Sequence, residues 1–278
     1  MKNLAFIFLS VSSMLVSGPI IAQGCYQNNL AAGKREYLAK NYEKALSYFS
    51  RGCECSECSS GEVDCTEGKK WIDKCKIVLF DETVMDIDGN VYHQVIIGTQ
   101  IWMVENLKTT HYRDGSLIPK VTDDTEWSDL TKGAYCNYYE DPGDIQTYGR
   151  LYNWDAVKNE KGLAPLGWHV PTVEEWTTLI NFLGDTSISG GKLKEAGTTH
   201  WKSPNTGATI NSGFFALPGG FRYVNAGEHL RNENGFWWSS SAHSIAYAYA
   251  VVLFFDSAKV GFGKHLESSG LSVRLIKD

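Results

Sequence analysis

The sequence has no excess of positive charge. Across 278 residues, 26 Lys and Arg stand against 32 Asp and Glu, for a net charge of −6. A nucleic-acid surface needs a basic face, so that class of partner is excluded. The imbalance is too mild to define any other charged partner. Familiar catalytic signatures are also missing. There is no Gly-x-Ser-x-Gly elbow, no Walker loop and no His-Glu-x-x-His helix, which removes the motif-bearing hydrolases, nucleotide enzymes and zinc proteases. A site split over distant residues leaves no such signature. His93, His111, His169, His200, His229, His243 and His265 stand singly. His169, beside Trp168 and before Pro171, reads as a packed strand residue rather than a base. After Cys75 only Cys136 remains. No segment after the first 22 residues is apolar enough to span a bilayer.

What is present begins with a leader. MKNLAFIFLSVSSMLVSGPIIAQ has one cation, Lys2, then an apolar run and no acid. This is the pattern of a secretory signal peptide over residues 1–22, cut after Ala22. The competing reading is lipidation of Cys25, with Ala22-Gln23-Gly24 as a loose lipobox. Either way the chain is exported, to the outer cell surface, the periplasm or the medium. The roughly 255 remaining residues suffice for one large or two ordinary domains. Hydrophobic residues at 43% and charged residues at 21% fit a globular protein.

Six cysteines crowd the first third: Cys25, Cys53, Cys55, Cys58, Cys65 and Cys75. In an oxidising compartment they read as disulfides, with Cys136 left over and the connectivity open. Zinc held by Cys53, Cys55, Cys58 and Cys65 is the weaker alternative, because paired Cys-x2-Cys knuckles are missing. Residues 23–80 otherwise read as helical. Tyr42, Ala45, Leu46 and Phe49 form an i, i+3, i+4, i+7 stripe. Gly33 stands twelve residues before Ala45, and Tyr37, Tyr42 and Phe49 take large apolar positions. The segment at about 28–57 resembles one tetratricopeptide repeat. A third helix is expected over about 68–78, with Trp71, Cys75 and Val78 on one face. One repeat cannot form the concave peptide groove of an array, so a structural hairpin is the better reading.

From residue 81 the texture changes to strands, turns and aromatics. Val84–Ile87 and Val91–Ile97 flank Asp88-Gly89-Asn90, a hairpin with an Asp-Gly turn. The same residues begin like a calcium loop, but Ile97 occupies the twelfth position, where glutamate is required. Residues 106–147 read as polar loops that form a binding surface or solvated decoration. Asp123, Asp124, Glu126 and Asp129 make an acidic cluster for which calcium is a minor reading.

The most sharply punctuated stretch is Gly149–Gly184. Thr172 and Glu175 make a capping box. Trp176, Leu179, Ile180 and Leu183 give a buried stripe, and Gly184 supplies the stop. Together with DIDGNVYHQVIIGTQIWMVENLKTT, TYGRLYNWDAV, GGKLKEAG, SPNTGATINSGFFALPGGFRY, FWWSSS and LSVRLIKD, this stretch strongly resembles the Fibrobacter succinogenes major paralogous domain family over about 82–278. The resemblance implies a secreted or surface bacterial domain of poorly defined activity. It also implies a C-type-lectin-like fold related to that of the formylglycine-generating sulfatase-modifying enzymes. Those oxidases need a copper-binding cysteine pair. This domain has Cys136 alone, so the oxidase reading is the runner-up.

The expected fold class is therefore α+β: a C-type-lectin-like domain over 81–278, with helices at about 172–183 and 190–196, preceded by a disulfide-linked helical hairpin. In the C-terminal part, Phe214–Leu217 and Phe221–Tyr223 read as strands about Pro218-Gly219-Gly220. Ala246–Phe255 and Val260–His265 read as a second hairpin. The expected function is a non-catalytic binding or adhesion module, with an enzyme or a structural envelope protein as alternatives. Its partner would be an extracellular glycan or protein. Sugars stack on aromatic faces rimmed by polar groups, which nominates Trp201, Arg222, Tyr223, Trp237 and Trp238, although core and strand packing is the better reading of each, because tryptophans are mostly buried. Calcium-lectin motifs are absent, and no cofactor or metal is expected. Strand alternation would leave at most one of Trp237 and Trp238 in a core covered on one face.

Overall fold

The structure is a computed structural model that describes residues 24–39, 41–61, 63–72, 82–138, 141–209, 212–224 and 227–278. The expected signal peptide, Cys75 and the end of the expected third helix lie outside the described residues. Among the described residues no helix is long and apolar enough to cross a membrane.

The N-terminal part is a helical hairpin, α1 (Cys25–Leu38) and α2 (Tyr42–Cys53), followed by α3 (Ser56–Ser59) and α4 (66–72). Gly33 lets the pair close. A Cβ there would sit 2.5 Å from the Phe49 ring. Phe49 in turn stacks on Trp71 of α4 at 5.6 Å. Two disulfides, Cys25–Cys55 and Cys58–Cys65, tie the helices together. Cys25 is paired with Cys55, as the disulfide reading expects. Three of the four sulfurs proposed for zinc are likewise consumed, leaving Cys53 as a thiol.

The remainder is mixed α and β. Strands β1 (Thr83–Met85), β2 (Val91–Ile97) and β3 (Gln100–Met103) pair in sequence. The turn between β1 and β2 is held by Asp86, whose carboxylate accepts from Asp88 N, Asn90 N, Asn90 Nδ2 and the Tyr92 hydroxyl. That network accounts for the acidic turn. The Ile96–Ile101 cross-strand pair packs against the helical part.

Residues 106–147 are less open than the sequence suggests. They form α5 (Asp124–Ser128), β4 (Tyr135–Cys136) and most of α6 (Pro142–Tyr148), and they bury Leu107, Ile118, Val121 and Trp127. Asp123 caps α5 by accepting from Glu126 N, and Asp124 pairs with Arg222. Two members of the acidic cluster therefore have protein partners. After β5 (Leu151–Tyr152) and α7 (Trp154–Val157), strand β6 (Trp168–His169) leads into α8 (Val173–Phe182). The Thr172–Glu175 capping box forms, and Trp176, Leu179, Ile180 and Leu183 are buried. A short α9 (Ser189–Leu193) follows.

The C-terminal strands are β7 (Phe221–Tyr223), β8 (Gly227–His229), β9 (Asn234–Ser244), β10 (Tyr247–Phe254), β11 (Val260–Leu266) and β12 (Ile276–Lys277). β12 enters the first sheet between β3 and β6, so that sheet runs β1-β2-β3-β12-β6. β9, β10 and β11 form a second, antiparallel sheet. One expected strand is corrected. Phe214–Leu217 forms no strand, Ala216 making only an isolated bridge to Lys194, and Phe221–Tyr223 pairs with β8. Gly220 has φ +63°, and a Cβ there would meet the His229 carbonyl at 2.4 Å, so the chain passes that strand closely rather than folding back on 214–217.

Both faces of the second sheet are covered around Trp237 and Trp238. Trp238, Ala248, Ala250 and Val252 join one core with Tyr152, Trp154 and Leu271. Trp237, Val251 and Leu253 join another with Trp176, Leu179 and Ile180 of α8. The two tryptophans still point to opposite faces, as strand geometry requires. Both are core residues because the condition of a single covered face is not met here.

Candidate functional site

Four of the five residues nominated from sequence are structural. Trp201, Arg222, Trp237 and Trp238 are each at most 1% exposed. Trp201 donates its indole N–H to the Ala216 carbonyl, and Trp238 donates to that of Tyr152. Arg222 lies over the Trp127 ring and donates to the Val121 and Thr122 carbonyls and to Asp124. These side chains fill the interior and cannot floor a sugar site. Tyr223, at the end of β7, is exposed at 44%.

The exposed aromatic surface is elsewhere, on β10 and β11. Residues 246–250 read Ala-Tyr-Ala-Tyr-Ala. Ala248 and Ala250 turn inward, and Ala250 lies directly opposite Trp238, whose bulk requires a small neighbour. Alternation then sends Tyr247 and Tyr249 to the other face. That face is covered by α8 as far as Val251 and Leu253. Beyond Val251 it opens. Tyr247 is 41% exposed and Phe262, opposite Val251, is 39% exposed. Tyr249 is half-buried, with Lys264 opposite and the His243 ring edge-on at 5.0 Å. His243 Nδ1 is shielded and has no hydrogen-bond partner. Lys264 makes no ion pair among the described residues. The strip thus offers aromatic faces and one ammonium, with a shielded, unpartnered ring nitrogen beneath them. Sequence reasoning missed it, although the small–large alternation was the signal.

A hollow elsewhere on the described residues is different in kind. A furrow of about 440 Å³ runs between α2 and the β3–β12 sheet, lined by Arg51, Glu54, Gln100, Glu175, Lys277 and Asp278 among others. An adjoining 280 Å³ hollow shares Ser50, Glu54, Gly98 and Thr99 with it. Several of its polar groups are already engaged. His169 holds Asp278 Oδ1 at 2.6 Å through Nδ1 and Glu175 Oε1 at 2.8 Å through Nε2. Gln100 donates to the Glu175 carbonyl and accepts from Trp102 Nε1. Burial opposes charge on His169, but the hydrogen bonds to Asp278 and Glu175 outweigh it and raise its pKa. This arrangement is a clasp holding β6, α8 and the end of β12 together.

The residues that make the chain recognisable converge inside. Asn106 Oδ1 accepts from Trp237 Nε1 at 2.8 Å and from Arg274 Nε and Nη2 at 3.1 and 2.9 Å. Asn106 Nδ2 donates to the Tyr148 carbonyl. Arg274 also donates to the Met103 and Phe214 carbonyls, and its burial lowers its pKa to about 9. One knot thereby joins the segments VENL, TYGR, FWWSSS and SVRL. The family model of the Fibrobacter succinogenes major domain matches residues 95–277, which include all of these segments. The chain belongs to that family. No curated protein and no solved structure matches the chain.

Within this Fibrobacter succinogenes major domain, Cys136 is fully buried in an apolar cluster with Val121, Trp127, Ala134 and Leu151. Its thiol has no route to a substrate. Lys194 is also buried and donates to the carbonyls of Thr206, Phe254 and Ser257, and desolvation lowers its pKa to about 8. Its three donors are consumed in fastening loops.

Proposed function

We propose that this family member is a non-catalytic binding module of the exported bacterial surface, built on a C-type-lectin-like scaffold. Its ligand is a carbohydrate taken by the β10–β11 strip. The observation that carries this reading is the Ala-Tyr-Ala-Tyr-Ala alternation. It buries the alanines against Trp238 and spends two tyrosines on an uncovered face beside Phe262. Aromatic faces supply the apolar floor for a sugar ring, while the Lys264 ammonium supplies a polar contact to hydroxyls. The reading requires no calcium, since Asp123 is occupied as a helix cap and Asp124 as the partner of Arg222.

The test is an oligosaccharide array probed with the mature chain, followed by titration of the strongest binder. Tyr249→Ala should weaken binding about tenfold or more, equivalent to about 1.4 kcal/mol, while circular dichroism stays unchanged. EDTA should leave binding intact. An array with no binder, or one indifferent to Tyr249→Ala and Phe262→Ala, would sink the carbohydrate reading and leave a protein ligand.

A further inference from the structure

Strand β11 forms one side of the three-stranded sheet, and the direction of its backbone groups follows from its neighbours. Trp238 N donates to the Ser272 carbonyl, and Ser272 N donates to the Phe236 carbonyl. Phe236 and Trp238 therefore face away from β10. In an antiparallel ladder the facing groups alternate. Hence Val251 and Leu253 bond toward β9, while Ala250 and Val252 bond toward β11. Gly261 and Gly263, opposite Val252 and Ala250, use their backbone groups on β10. Val260, Phe262 and Lys264 point theirs outward. Consistent with this, Val260 N donates to the Thr186 carbonyl outside the sheet. Among the described residues nothing takes the outward N–H and C=O groups of Phe262 and Lys264.

Exposed edges usually carry proline, a bulge, several charges or a cover. β11, VGFGKHL, has no proline and only one lysine. Its pairing with β10 runs through seven residues without a register shift. We propose that two copies of the chain join by antiparallel pairing of β11 with β11, centred on Gly263. Phe262 then lies opposite Lys264 of the second copy, and Lys264 opposite its Phe262. Each such pair exchanges backbone hydrogen bonds and sets an ammonium beside an aromatic ring. Moving the centre one residue forward would set Lys264 against Lys264. Moving it one residue back would use Val260, whose N–H Thr186 already holds. The paired segment is therefore short, Gly261 to His265, and association is weak.

The pairing has a functional consequence. Tyr249, Lys264 and Phe262 lie on one face, so the row Tyr249–Lys264 continues across the two-fold axis into Phe262 of the second copy. Two aromatic strips become one surface, with the gain in avidity that linked sites provide. This consequence rests on the carbohydrate reading, whereas the dimer itself does not.

Sedimentation equilibrium of the mature chain should show a monomer–dimer equilibrium, with Phe262→Lys shifted toward monomer at least about tenfold by like-charge opposition. Gly263→Cys should cross-link to itself on oxidation, since the two central residues face each other at about 4.5 Å between Cα atoms. Gly261→Cys, opposite His265, should cross-link far less. The unsubstituted chain sets the background from the Cys53 thiol. A Cβ at Gly263 approaches His265 Nε2 at 3.0 Å, so circular dichroism must first show the variant folded. A folded wild-type chain that stays monomeric at millimolar concentration would overturn the proposal. So would equal cross-linking by the two cysteine variants. Self-association without array binding would keep the dimer and discard the sugar.

Discussion

In the knot around Asn106, one amide oxygen satisfies Trp237 and two nitrogens of Arg274. On the strip, His243 Nδ1 has no partner, and Tyr247 and Phe262 lie partly in solvent. The two regions are carried in part by the same three-stranded sheet. The knot joins segments far apart in the chain, whereas the strip is built from neighbouring strands. Buried polar groups must be satisfied or they cost free energy, which ties the knot's composition to folding. An exposed aromatic carries no such obligation, so its chemistry is free to serve a ligand.

The comparison breaks most readily at Asn106. Asn106→Leu should destabilise the fold by about 3–5 kcal/mol, because a buried guanidinium and an indole N–H lose their shared acceptor. Denaturant titration reads this directly. A loss below about 1 kcal/mol would mean that water or backbone replaces the amide. A smaller contrast lies within the core. Trp237→Phe should cost about 2–3 kcal/mol through lost volume and the loss of one of the three hydrogen bonds to Asn106 Oδ1. Trp176→Phe should cost less, since Trp176 Nε1 has no hydrogen-bond partner to lose. Equal costs would show that volume alone decides. On the strip, Tyr249→Ala should change stability by no more than about 1 kcal/mol, as surface substitutions usually do. A larger loss would reassign Tyr249 to the core.

Local chemistry made several elements legible in the sequence. The Thr172–Glu175 box, the stripe from Trp176 to Leu183, the Asp-Gly hairpin and the β10–β11 hairpin each follow from residues within a few positions of one another. The α+β class was legible for the same reason. What escaped depends on distant residues. Whether Trp237 is covered depends on α8, and whether Arg222 is covered depends on Val121, Thr122 and Asp124, about a hundred positions away. α5 and α7 are only one or two turns long, too short for a periodic signal. The aromatic candidates failed because a tryptophan's identity says nothing about its exposure, while its neighbours' sizes do. Alanines at 248 and 250 marked the inward face, and with it the outward tyrosines.

The smallest expected effect concerns the clasp at His169, which belongs to neither region and so tests whether the furrow is structural. Both ring nitrogens meet carboxylates, of Asp278 and Glu175, so the charged imidazolium donates twice. The folded pKa therefore lies above the ordinary value of about 6.5. For a base with a raised folded pKa, the folded state binds more protons across the window between the two values. The contribution is thus fully present below about pH 6.5 and fades as pH rises through the folded pKa. His169→Gln should remove this slope. The melting temperature of the wild type minus that of the variant should be positive at pH 6 and shrink toward pH 8. Taking the difference cancels the opposing slope from His265, whose pKa burial lowers. The imidazole is partly exposed, so screening keeps the effect small. A difference that stays flat from pH 6 to 8 would mean that His169 is neutral in the fold. The furrow would then hold a carboxylate pair without its cation, and its claim to be a ligand site would have to be reopened against the strip's.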